Sequence, residues 1–202
     1  VDLAAPESFF SADTHGVDMV LSGPMITPVG GYPTQSWGRN GYGLECADAD
    51  EVEAGIRHLA EQGAGVIKVP IGQGTERTDA QLERAVATAA ELGLPLVSHA
   101  TTDAGASRAA LAGVRALAHT PTSSLSDETV QAWSEGAVIT TLRAFGGSAT
   151  TLDNLARRQQ AGATVLSGTD MGNVRTPGIV ESELQAMEQE ERSGRGKGKA
   201  ER

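Results

Sequence analysis

Of the 202 residues only one, Cys46, is a cysteine, and just 3% are aromatic. A single thiol excludes an intrachain disulfide and fits a reducing compartment, so a cytoplasmic location is expected. With few Phe, Trp and Tyr, the core falls to Ala, Val, Leu and Ile. No apolar run approaches the ~18–20 residues of a membrane-spanning helix, and no secretory signal is visible, so no membrane partner is expected. Positive charge is also short: 16 Lys and Arg stand against 26 Asp and Glu, a formal net charge of −10. That balance argues against nucleic acid as a partner. No His-x-His pair occurs, and no strand runs into a GxGxxG turn. The nearest match, Gly72-Gln73-Gly74, lacks the third glycine, which disfavours a dinucleotide fold.

What is present is an alternation of short apolar runs and helical patterns. Val1 to Gly16 is a poorly specified lead-in (residues 1–16). Val17–Leu21 reads as a strand, followed by a long Gly/Pro loop, Ser22–Gly43. Asp48 or Asp50 caps a helix with Val52, Ile56 and Leu59 on one face. Gly65–Val69 is the next strand, and Thr78 with Gln81 forms a capping-box pattern before a helix ending at Gly93. The stretch from Leu94 to Thr120 reads strand, turn, helix, strand, with His99 and His119 each where a strand gives way to a loop. Further strands are expected at Ala137–Leu142 and Ala163–Leu166, with helices near Asp127–Ser134, Leu152–Gln160 and Ile179–Glu190. The end of the chain, residues 192–202, is basic and without apolar patterning, and is expected to be disordered.

Six strands alternating with helices predict an α/β fold with a parallel sheet. The spacing suits a partial TIM-type (β/α)8 barrel of about six βα units, carried by residues 17–191. Six units leave two open edges, so a second copy or a partner chain is expected to pair with Val17–Leu21 and Ala163–Ser167.

In a parallel sheet the strand C-termini share one side, where such folds place their chemistry. Lys68, His99, His119 and Asp170 all fall on strands or at their C-terminal ends. Singly, each has a plain structural reading: a hydrogen-bonded His, a capping Asp. Lysine in an apolar strand is the hardest to dismiss. Together they form a candidate metal site, since imidazole and carboxylate suit zinc and similar divalent ions. A bound metal would acidify water and polarise a carbonyl or phosphoryl oxygen, with Asp170 as proton acceptor. His58 reads as a surface helix residue, and His15 lies in the lead-in. The loops Ser22–Gly43, Pro70–Thr78, Thr120–Ser126 and Arg143–Thr150 would line a small-molecule pocket, with Tyr32, Trp37 and Arg143 as candidate substrate contacts.

The order Lys, His, His, Asp on successive strands, in GVIKV around Lys68, LPLVSHATT around His99, ALAGVRALAHT around His119 and GATVLSGTDMGN around Asp170, resembles the metal-dependent amidohydrolase superfamily. The likeness is to its prolidase-like and imidazolonepropionase-like branch and runs from about Leu21 to Met187; the SGPM…GGYP loop adds to it. The resemblance implies a (β/α)8 barrel represented here by strands three to eight. It implies a carboxylated Lys68 bridging two metals, His99 and His119 as ligands of one of them, and Asp170 as eighth-strand ligand and proton shuttle. The implied activity is hydrolysis of amide or ester bonds. The pattern departs in lacking the first-strand His-x-His, and in carrying Tyr32 where relatives often have a histidine. One or two ions are therefore both compatible with the sequence. Two other readings stand beside this one: a Schiff-base aldolase using Lys68 as nucleophile, and a catalytically silent remnant that binds a partner.

Overall fold

The computed structural model describes residues 3–72, 74–174, 178 and 180–188. The chain divides into two compact units, one of Val1–His99 with Leu111–Arg115, the other of Ala100–Ala110 with Ala116–Arg202.

The first unit holds β1 (Met25–Pro28), β2 (Gly43–Cys46), α1 (Ala49–Glu61), β3 (Ile67–Pro70), α2 (Asp79–Glu91) and β4 (Leu96–His99). α1 starts where the Asp48 carboxylate accepts the Glu51 N–H, and it buries Val52, Ile56 and Leu59 as their spacing requires. Gly63, at φ +102°, ends it in a conformation that a side chain would strain. Both halves of the Thr78/Gln81 capping box are formed at the start of α2. β1 and β2 pair in parallel from Met25↔Gly43 to Pro28↔Cys46, and β3 and β4 from Ile67↔Leu96 to Pro70↔His99. β1, β3 and β4 are buried along their whole length, as parallel strands covered on both faces must be.

The second unit holds most of α3 (Asp103–Ala112), then β5 (Ala116–Leu117), α4 (Asp127–Ala132), β6 (Ala137–Ile139), α5 (Ala149–Gln160) and β7 (Thr164–Leu166). β6 pairs in parallel with both β5 and β7. The strand order of this sheet within the unit follows the chain, β5-β6-β7. The main anchor here is Trp133, only 1% exposed, whose Nε1–H donates to the Ala106 carbonyl at 3.0 Å. Residues 181–188 are helical, within the stretch where the final helix was expected; Ile179, Gln189, Glu190 and the basic tail lie outside the described residues.

The alternation of strand and helix is as expected, but its beginning is not. Val17–Leu21 forms no strand: Val17, Met19 and Val20 are 63%, 46% and 44% exposed, and Asp18 interrupts the run. Only Leu21 is buried, its carbonyl accepting the Gly65 N–H. The first strand is instead β1, inside the stretch expected to be loop. Its Met25 and Ile26 are 1% and 0% exposed, a burial that the flanking Pro24 and Pro28 disguise in the sequence. β2 was not expected at all. The lead-in is not shapeless either, for Glu7–Ser11 makes a 3-10 turn and Ala5 is buried.

Candidate active site

In the first unit the register sets Lys68 beside Val97, and His99 beside Pro70 at the C-terminal end of β4. Lys68 is 4% exposed and His99 2%. Burial, and secondly the Lys68 charge, push the His99 pKa from 6.5 down to about 3. The imidazole is therefore neutral at physiological pH, the form in which histidine binds a metal or takes a proton.

The loop after β1 reaches the same residue. Tyr32 stacks on His99, with ring centroids 4.8 Å apart and planes at 27°. Trp37 Nε1–H donates to the Tyr32 hydroxyl at 3.0 Å, and the Thr27 hydroxyl donates to the Tyr32 carbonyl at 2.7 Å. The Tyr32–Pro33 peptide is cis. At Gly31 a Cβ would lie 2.4 Å from Thr27 Oγ1 and 2.9 Å from the Pro28 carbonyl, so only glycine lets this turn close. Of the residues singled out in the sequence as substrate contacts, Tyr32 thus meets a predicted ligand, and Trp37 bonds to Tyr32.

In the second unit His119, 4% exposed, has Nδ1 3.0 Å from the Thr141 hydroxyl and packs on Phe145 at 4.7 Å between centroids. Asp170 is part-exposed at φ +49°, and its Oδ2 accepts from Asn173 Nδ2 at 2.7 Å. The Arg143 side chain is exposed. His15 and His58 stay at the surface, paired with Asp13 and Glu7. The predicted ligands are thus divided two and two, Lys68 with His99 in one unit and His119 with Asp170 in the other. Among the described residues no group of three or more His, Cys, Asp or Glu is placed to hold a metal ion. His99, neutral and deeply buried, is in the form that binds a divalent ion, whereas Lys68, whose positive charge helps to lower the His99 pKa, would hold one only as a carbamate.

Several residues escaped the sequence reading. Thr141, at φ +48°, and Glu183, 1% exposed, both belong to the surroundings of His119. Arg77, 3% exposed, donates to the Ile26 carbonyl behind the aromatic loop. Nothing in a single sequence separates Glu183 from the other glutamates of its helix. The lone thiol, Cys46, is buried with its pKa raised to about 11 by desolvation, which makes it an unreactive core group.

No protein-family profile matches the chain, and no curated protein matches it significantly. Solved structures do. A Xaa-Pro dipeptidase with methionine bound in its active site aligns over 91% of this chain and 56% of its own, at 20% identity and a TM-score of 0.72. The ochratoxinase of A. niger aligns over 91% and 54%, at 20% identity and a TM-score of 0.74. Molinate hydrolase aligns over 81% and 46%, at 17% identity and a TM-score of 0.58. A prolidase and an amidohydrolase are also among the matches. The chain shares the fold of these structures and spans about half of their length. No described helix is long and apolar enough to cross a membrane.

Proposed function

We propose that the chain is part of a metal-dependent amidohydrolase-type enzyme that hydrolyses amide or ester bonds. The observation that carries this reading is the Lys68/His99 pair: two deeply buried basic groups on adjacent strands of a fold shared with prolidase and ochratoxinase, the imidazole held neutral. Lys68, as its carbamate, and His99 would be metal ligands of the first unit, and His119 and Asp170 those of the second. A bound zinc or similar ion would supply Lewis-acid polarisation and acidify water. Asp170, one of whose oxygens accepts from Asn173, would take the proton of the attacking water and give it to the leaving nitrogen or oxygen. Tyr32 and Trp37 wall the His99 side, and Arg143 serves a substrate carboxylate.

The test is metal content per chain after purification without chelators, with added bicarbonate and His99→Ala as control. About one ion per chain, lost in the variant, supports the proposal. A chain that refuses metal favours the silent, partner-binding reading, which the missing His-x-His also suggests. Trapping of Lys68 by borohydride with a carbonyl substrate would point to the Schiff-base reading instead, because a carbamate is not trapped. Self-association is proposed only at β7, where Leu166 is 47% exposed on an edge strand. A monodisperse monomer in light scattering overturns that part.

A further inference from the structure

Glu183 gives both carboxylate oxygens to one turn. Oε1 accepts from the Thr140 hydroxyl and, at 2.8 Å, from the Leu142 N–H; Oε2 accepts from the Arg143 N–H at 2.8 Å. Successive backbone N–H groups aimed at one anion form a concave cradle whose shape depends on that anion. Between the gripped residues stands Thr141 at φ +48°, a conformation that a β-branched residue keeps only when its surroundings over-determine it. The same turn holds His119 in two ways. The Thr141 hydroxyl lies 3.0 Å from Nδ1, and the Thr140 carbonyl accepts both the N–H and the hydroxyl of Thr120, at 3.2 and 3.0 Å. Thr120, Thr140, Thr141 and Glu183 are each at most 3% exposed, so water does not substitute for these bonds.

We infer that Glu183 is a positioning residue for His119. By gripping the 140–143 turn it holds Thr141 in the left-handed conformation. Thr141 then fixes the orientation of the imidazole ring through Nδ1. The inference rests on the proposed role of His119 as a site residue. A group that fixes the ring and tautomer of a ligating histidine is what such sites require beyond the ligands themselves.

The experiment is nitrogen NMR of ¹⁵N-histidine-labelled protein at mildly alkaline pH, comparing wild type with Glu183→Gln, Thr141→Val and Thr141→Ser. The wild type is expected to show one fixed tautomer at His119. T141V and E183Q are expected to move its two nitrogen signals towards averaged values, while T141S keeps them. In parallel, zinc affinity of E183Q is expected to fall about 10–100-fold. His119 signals that stay at wild-type positions in E183Q, with only the melting temperature lowered, mean a purely structural glutamate and overturn the inference. Should E183Q fail to fold, unchanged signals in T141V overturn it equally. A wild type that refuses zinc, yet whose His119 signals shift in E183Q, overturns the functional proposal and leaves the positioning role standing.

Discussion

The Tyr32 ring lies over the His99 imidazole, centroids 4.8 Å apart and planes inclined by 27°. One face of a buried base is thereby covered by a residue from a loop 67 positions earlier in the chain. Because desolvation is the first cause of the lowered His99 pKa, uncovering that face should weaken it. In Tyr32→Ala the pKa is expected to rise from about 3 towards the ordinary 6.5, as followed by NMR titration of the ring protons. Tyr32→Phe keeps the stack and should leave it low. An unchanged value in the alanine variant would show that other neighbours do the covering.

The same depressed pKa makes stability depend on pH in a defined window. The unfolded chain protonates His99 near 6.5 and the folded chain only near 3, so between these values the unfolded state binds more protons. Stability from this group is complete above pH 6.5 and is lost progressively as pH falls to 3. A displacement of this size corresponds to roughly 4–5 kcal/mol at the low end. Urea melts of metal-free protein from pH 7 to pH 4 should show the decline, and His99→Phe should flatten it. A wild-type curve as flat as the variant's would contradict the buried, neutral imidazole.

How much of this was legible in the sequence depends on the range of the interactions. The capping box at Thr78 and the apolar face Val52–Ile56–Leu59 are local and stand where the residues place them, and of Asp48 and Asp50 the structure takes Asp48 as the cap. His99 at a strand end was equally readable from the apolar run before it. β1 was hidden because two prolines and a glycine-rich sequel imitate a loop, while the more apolar-looking Val17–Leu21 is left largely in water. Tyr32 and Trp37 could be named as loop aromatics, but the stacking of Tyr32 on His99 is set by the Thr27–Tyr32 bond and the tight turn at Gly31. Glu183 was invisible for the same reason: its importance lies wholly in what folds onto it.

Arg158 offers a test of what a buried charge is worth. Its side chain is 0% exposed and its guanidinium sits 5.1 Å from the Trp133 ring centroid. One nitrogen donates to the Ala137 carbonyl, while Nε and Nη1 have no hydrogen-bond partner among the described residues. Burial lowers its pKa to about 10. Desolvating those donors is expensive, so an apolar side chain of similar length should do as well. Arg158→Met is expected to stay within about 1 kcal/mol of wild type or to exceed it, whereas Arg158→Ala, which leaves a cavity beside Trp133, should lose about 2–4 kcal/mol. Urea denaturation with an unchanged slope measures both. A methionine variant as unstable as the alanine one would mean that the guanidinium makes a net stabilising contact with the indole.

Gly168, two residues before Asp170, shows how closely the end of β7 approaches β6. A Cβ there would stand 2.2 Å from Ile139 Cγ2 and 3.2 Å from Thr141 Cγ2. The Ile139 methyl sits one bond from its own Cβ and cannot swing away as the tip of a longer chain would. Gly168→Ala should therefore force the backbone apart and cost about 1–3 kcal/mol, although alanine is ordinarily the better residue for chain entropy. The cause can be isolated with Ile139→Ala, which removes the clashing methyl. If the clash is the origin, the double variant loses less than the sum of the two single losses; additivity would place the effect elsewhere. The second contact makes the result relevant to the site, since a displaced Thr141 also loosens the bond to His119 Nδ1. Gly168→Ala should therefore disturb the His119 nitrogen signals as Thr141→Val does, and Ile139→Ala in the same chain should restore them.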